Sequence, residues 1–120
     1  MEIHGKLIII GGAVDKGSFS ETNLDQNAAK NLNFFEEGIL KRIINESKNK
    51  ELSRIEVITT ASKIPREIGP EYVKAFSYLG ANNVDVLYIE RREQASEPEI
   101  LERLKAADVV MFTGGDQLRL

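Results

Sequence analysis

Four short apolar runs, separated by segments of helical period, constrain this chain more than any other feature. Lys6-Leu7-Ile8-Ile9-Ile10 is continuous and rich in isoleucine, and Gly11-Gly12 ends it. A run of this kind reads as a strand buried on both faces of a parallel sheet. Arg54–Thr60 repeats the pattern through Ile55, Val57 and Ile58 and closes on Thr59-Thr60-Ala61-Ser62. Val84–Ile89 is the third run, and Asp108–Thr113, apolar at Val109, Val110, Met111 and Phe112, is the fourth.

The segments between them carry helix signals. Asn33 with Glu36 has capping-box spacing, and Phe34, Phe35, Ile39, Leu40, Ile43 and Ile44 follow at helical intervals, which predicts a helix to about Ser47. Tyr72, Val73, Phe76 and Leu79 predict a second helix from about Glu67, with Pro70 near its start and Gly80 as its stop. Ser96 and Glu99 form a second capping box ahead of Ile100, Leu101 and Leu104. Residues 13–32 are mostly polar and lack periodicity, so they read as a long loop of the kind that carries function. Strand and helix alternate, so the expected architecture is a single α/β domain over residues 1–120: an open parallel sheet with helices on both faces.

Composition narrows the chemistry. A net charge of −3 with no basic stripe argues against nucleic acid. The absence of cysteine removes disulfides and thiolate chemistry and makes the cytoplasm the default compartment, while the apolar run at Leu7–Ile10 is too short to span a membrane. His4 is the sole histidine, so neither a metal site nor a cofactor is expected.

In open parallel sheets ligands collect beyond the carboxyl ends of the strands. Gly11-Gly12, Thr60-Ala61-Ser62, Arg91-Arg92 and Gly114-Gly115-Asp116-Gln117 all fall there, with Gly12 and Ser62 as candidate substrate-binding positions. Two glycines after a buried strand let the amides of Gly114, Gly115 and Asp116 turn into the crevice as oxyanion donors; the same residues equally suit a turn in which Asp116 caps the next helix. Gly11-Gly12 lacks the remainder of a nucleotide-binding fingerprint, and Arg91-Arg92 reads as a solvent-facing pair. Ser18 and Ser62 stand in no Gly-x-Ser-x-Gly elbow, so no catalytic nucleophile is expected among these residues.

Leu7 to Ala13, then Ile58-Thr59-Thr60-Ala61-Ser62 with Pro65 and Glu67, then Tyr72, Phe76 and Leu79-Gly80, and above all Phe112-Thr113-Gly114-Gly115-Asp116-Gln117-Leu118-Arg119-Leu120, together resemble the cyanophycinases. Val14 departs from that pattern, which has an acidic residue there. The resemblance implies a three-layer fold like that of the class I glutamine amidotransferases, related to the flavodoxin-like sheets, of which these residues form the N-terminal half. It also implies a serine-type peptidase that hydrolyses cyanophycin, a poly-aspartate bearing arginine side branches, to β-Asp-Arg dipeptides. Gly114, Gly115 and Asp116 would then supply the oxyanion hole and Gln117 the substrate pocket. The serine, histidine and acidic residue of that family would lie further along, in a larger catalytic domain.

An aspartyl dipeptidase of the same fold, or an α/β module that binds a small anion without chemistry, stand as alternatives. The fourth strand, left with an open apolar edge, predicts a homo-oligomer, most simply a dimer.

Overall fold

The computed structural model describes residues 5–10, 38–116 and 118. Three helices and three strands alternate through them: α1 (Ile39–Glu46), β1 (Ile55–Ile58), α2 (Pro65–Tyr78), β2 (Val84–Leu87), α3 (Pro98–Ala106) and β3 (Val109–Phe112). Short 3-10 turns at Lys50–Leu52 and Arg92–Ser96 precede β1 and α3.

The strands form one parallel sheet in the order β2-β1-β3. β1 is central, with Ile55 opposite both Val84 and Val109, and Ile58 opposite both Leu87 and Phe112. The chain therefore moves from β1 outward to β2, then returns across β1 to lay down β3. With crossovers of one hand, that reversal sends α2 and α3 to opposite faces, and in open sheets of this kind ligands collect beyond the carboxyl ends of the strands at such a reversal, here β1 and β3.

Side chains alternate along β1, and the two faces differ in chemistry. Ile55 and Val57 join Leu40, Ile43, Ile44, Tyr72, Ala75, Phe76, Leu79, Ala81, Val84 and Met111 in the main core under α1 and α2. Gly69 lets α2 lie close on β2, because a Cβ there would stand 3.0 Å from the Tyr88 hydroxyl and from both Val86 methyls. On the other face Glu56, fully buried, takes hydrogen bonds from Arg54 (2.6 and 2.9 Å) and from Arg103 of α3 (2.7 and 3.3 Å). α3 buries no residue completely, so this ionic contact is a principal tie between that helix and the sheet.

α2 stops where Gly80 is placed to stop it. Gly80 takes φ +90°, its amide donates to the Ser77 carbonyl (3.0 Å), and the Ala81 amide reaches back to Phe76 (2.9 Å). This is a Schellman cap with buried Ala81 against buried Phe76.

Three expectations are corrected. Lys6–Ile10 is not a strand: Leu7 and Ile9 are each 87% exposed, Ile8 is 41% exposed, and only Ile10 packs on the core. β2 and β3 occupy both flanks of β1, so an apolar run that asks for burial finds no place beside the central strand. α2 begins at Pro65, whose fixed φ suits the first helical position, and Pro70 lies inside it. Ser96 and Glu99 do not cap α3: Pro98 sets its first turn, Glu97 is the flanking residue, and Ser96 ends the 3-10 turn before it. The capping box at Asn33 and Glu36, together with Gly12, Ser18 and His4, lies outside the described residues.

Candidate functional site

The candidate site is assembled from the residues that follow β1 and β3. The ladder continues one step beyond the strands, since the Thr113 amide donates to the Ile58 carbonyl (3.0 Å), and this sets Thr59 beside Thr113. Thr59 is 1% exposed and Thr113 6% exposed, and neither hydroxyl has a hydrogen-bond partner among the described residues. Buried hydroxyls are usually hydrogen-bonded, so two adjacent ones without a described partner set this point of the sheet apart.

Beyond them the two loops meet through backbone. The Asp116 amide donates to the Ala61 carbonyl at 2.9 Å. Gly115 has φ +152°, and a Cβ there would stand 2.0 Å from the Ala61 oxygen and 2.8 Å from the Ser62 nitrogen. Only glycine permits that approach. Gly114 is exposed with nothing within 4 Å of where a Cβ would be, and the amides of Gly114 and Gly115 donate to no described residue. The Asp116 carboxylate accepts the Leu118 amide at 2.9 Å, the hydrogen bond a helix cap makes. Oxyanion-type donors and a capping aspartate are thus compatible in one turn.

Ser62 is buried next to this contact, its amide bonded to the Thr59 carbonyl (3.0 Å) and its Oγ accepting the Ile64 amide (3.1 Å). Gln117 and Gly12 lie outside the described residues. Arg91 and Arg92 are both exposed. No group of three or more metal-ligating side chains gathers among the described residues, and no described helix is long and apolar enough to cross a membrane.

A cavity of about 220 Å³ opens on the other side of β1, between the ends of β1 and β2. Thr59, Thr60, Pro65, Ile89 and Glu90 line it. Thr60 donates its hydroxyl proton to the Ile89 carbonyl (2.6 Å), bracing the two strand ends. At its rim Arg66 lies 3.8 Å over the Tyr88 ring and 3.2 Å from the Glu90 carboxylate. Sequence reasoning placed Thr59 in the segment that closes β1 without giving it a role, and passed over Tyr88 and Glu90, which carry no motif and whose one signal is position just past the carboxyl end of a strand.

No family model matches the chain. Among curated proteins, cyanophycinases from Trichormus variabilis and Nostoc sp. are each 42% identical to it over 66 residues, which is 55% of this chain and 22% of theirs. The cyanophycinase of Geminocystis herdmanii is 39% identical over a stretch of the same length, 24% of that protein. The chain thus spans about a fifth to a quarter of the length of the curated relatives it matches, and over that portion it is similar to cyanophycinases.

Proposed function

We propose that this chain forms the N-terminal part of a cyanophycin-hydrolysing serine-type peptidase and supplies one wall of its active site. The observation that carries the reading is the turn at Gly114 and Gly115. Two amides without described partners stand where the strand order reverses, in a chain 42% identical to cyanophycinases over 66 residues. Amides fixed in that way stabilise the negative charge that develops on a carbonyl under attack. In this reading Gly114 and Gly115 are the oxyanion donors, because the Asp116 amide is already engaged by Ala61. Gln117, Gly12 and Ser62 line the substrate side, and the serine nucleophile with its base comes from polypeptide outside these residues. The reaction is acyl transfer through a covalent ester, then hydrolysis, releasing β-Asp-Arg dipeptides without a cofactor, in the cytoplasm.

The test compares the 120-residue chain with the product of the uninterrupted reading frame on purified cyanophycin. The chain alone should release no dipeptide and the longer protein should release it. Turnover by the chain alone overturns the reading, and preference of the longer protein for Asp-X dipeptides over the polymer replaces it with an aspartyl dipeptidase.

A further inference from the structure

The walls of the cavity between the ends of β1 and β2 are fixed from behind by side-chain hydrogen bonds. The Thr60 hydroxyl donates to the Ile89 carbonyl (2.6 Å), and the Gln94 side-chain oxygen accepts the amides of Glu90 (2.7 Å) and Arg91 (2.8 Å). Two side chains thus pin the backbone from Ile89 to Arg91, which sets Glu90 in the cavity wall beside Thr59, Thr60, Pro65 and Ile89. Glu90 is the one charged residue of that lining among the described residues. Its carboxylate is 51% exposed and meets Arg66 through Oε1 (3.2 Å), while its Oε2 accepts from no described residue. Arg66 is placed in turn by the Tyr88 ring, 3.8 Å beneath its guanidinium, and the Tyr88 hydroxyl lies against Gly69 of α2.

We propose that this cavity is a subsite for a guanidinium group on an aliphatic stem, with the Glu90 carboxylate as its recognition group. The lining carries one negative charge and no positive one, so it selects a cation. Pro65 and Ile89 give apolar surface to the stem while the charged head meets Glu90 at the mouth. A carboxylate has about four lone-pair positions, so Glu90 accepts a second guanidinium beside Arg66, which acts as its positioning residue. The chain already contains that arrangement: the Glu56 carboxylate takes Arg54 at 2.6 Å and Arg103 at 2.7 Å. A volume of about 220 Å³ suits one side chain and falls short of the roughly 300–1,000 Å³ of sites that take a whole drug-sized ligand. The identity of the occupant, an arginine branch of the polymer, rests on the peptidase reading. Thr59 lines the cavity and stands beside Thr113, which precedes Gly114, so the glycine turn lies one to two strand spacings away, roughly 5–10 Å. Two or three extended residues cover that distance at about 3.3–3.6 Å each, so a branch seated at Glu90 belongs to a repeat unit beside the one being cleaved.

The experiment uses the product of the uninterrupted reading frame. Glu90→Gln keeps the size of the side chain and removes its charge, and because Glu90 is exposed the circular dichroism should not change. On purified cyanophycin the variant should raise KM by about tenfold or more and leave kcat within about twofold, the pattern of lost binding rather than lost chemistry. Glu90→Asp should recover part of that loss. Binding is read separately, from amide chemical shifts during titration with N-acetylarginine amide and with its uncharged counterpart N-acetylcitrulline amide. The arginine compound should move the amides of Thr60, Ile89 and Glu90 at concentrations where the citrulline compound does not, and Glu90→Gln should abolish the difference. Cyanophycin hydrolysis with an unchanged KM in Glu90→Gln, or equal shifts from the two compounds, overturns the subsite and leaves the peptidase reading standing. Arginine-selective shifts in a protein that cleaves no cyanophycin support the subsite and overturn the peptidase reading instead.

Discussion

Two adjacent glycines in the last loop make opposite demands, and that difference is measurable. Gly115 holds φ +152° with the Ala61 carbonyl where a Cβ would be, while Gly114 borders open space. Gly115→Ala therefore has to displace the Ala61–Ser62 loop or break the Asp116–Ala61 hydrogen bond, at a cost of about 1–3 kcal/mol for the backbone conformation alone. Gly114→Ala should stay within about 0.5 kcal/mol of the parent chain. Urea denaturation of the two variants checks the contrast, and amide shifts at Ser62 and Asp116 should move only in the first. Glu56 sets a second residue-scale test. Its carboxylate is fully buried between Arg54 and Arg103, and Asp85 lies 3.7 and 3.5 Å from the same two guanidinium groups. Glu56→Ala leaves two cations facing each other with one exposed aspartate between them, and should destabilise by about 3–5 kcal/mol. Replacing Asp85, which is 62% exposed, should cost under about 1 kcal/mol. Equal losses at the two sites would refute the assignment of the buried charge to Glu56.

At the scale of elements, packing decides what local pattern leaves open. Gly69 has an ordinary helical position in α2, yet Tyr88 and Val86 lie against it at 3.0 Å. Gly69→Ala, which helix propensity alone would favour, should instead destabilise by about 1–3 kcal/mol through overpacking, visible as a lowered thermal midpoint. The strands Ile55–Ile58, Val84–Leu87 and Val109–Phe112 were legible from their apolar runs to within two residues, and the stop at Gly80 from its conformational freedom. Lys6–Ile10 was not legible, because hydrophobic periodicity records the demand for burial and not the neighbour that meets it. The same holds in reverse for Glu56. A charged residue inside an apolar run reads as a solvent-facing position, and only the arrival of Arg103, 47 residues further on, makes it an interior one. Of the candidate site, the glycine turn was legible and its contact with Ala61 was not, since proximity of the two loops depends on β3 pairing directly with β1.

For the molecule as a whole, acid sensitivity should concentrate at the rim opposite the candidate site, where β1 and β3 begin. Asp108 accepts the Arg54 amide (2.8 Å) and the Asn49 side-chain amide (3.1 Å), while the Asp108 and Val109 amides donate back to the Arg54 carbonyl (2.8 and 3.1 Å). The hydrogen bond from the Arg54 backbone, then that from Asn49, holds the Asp108 carboxyl below the usual carboxylate range. Glu46 is lowered as well, first by the hydrogen bond and charge of Lys6 and then by the charge of Arg42. A carboxyl whose folded pKa lies below its unfolded value binds fewer protons when folded, so it stabilises the fold above the unfolded value and loses that contribution as pH falls through the folded one. With unfolded values near 3.9 for Asp and 4.3 for Glu, the loss should begin below about pH 5 and continue downward. Asp108→Asn should lower the urea midpoint at pH 6 and flatten its decline between about pH 5 and 2. Salt separates the two groups: about 0.5 M NaCl screens the exposed ion pairs of Glu46 and leaves the amide hydrogen bonds to Asp108 largely intact. The acid slope that Asp108→Asn removes should therefore persist in salt in the parent chain, and curves for parent and variant that run parallel at every pH would show that the start of β3 is not held through this carboxylate.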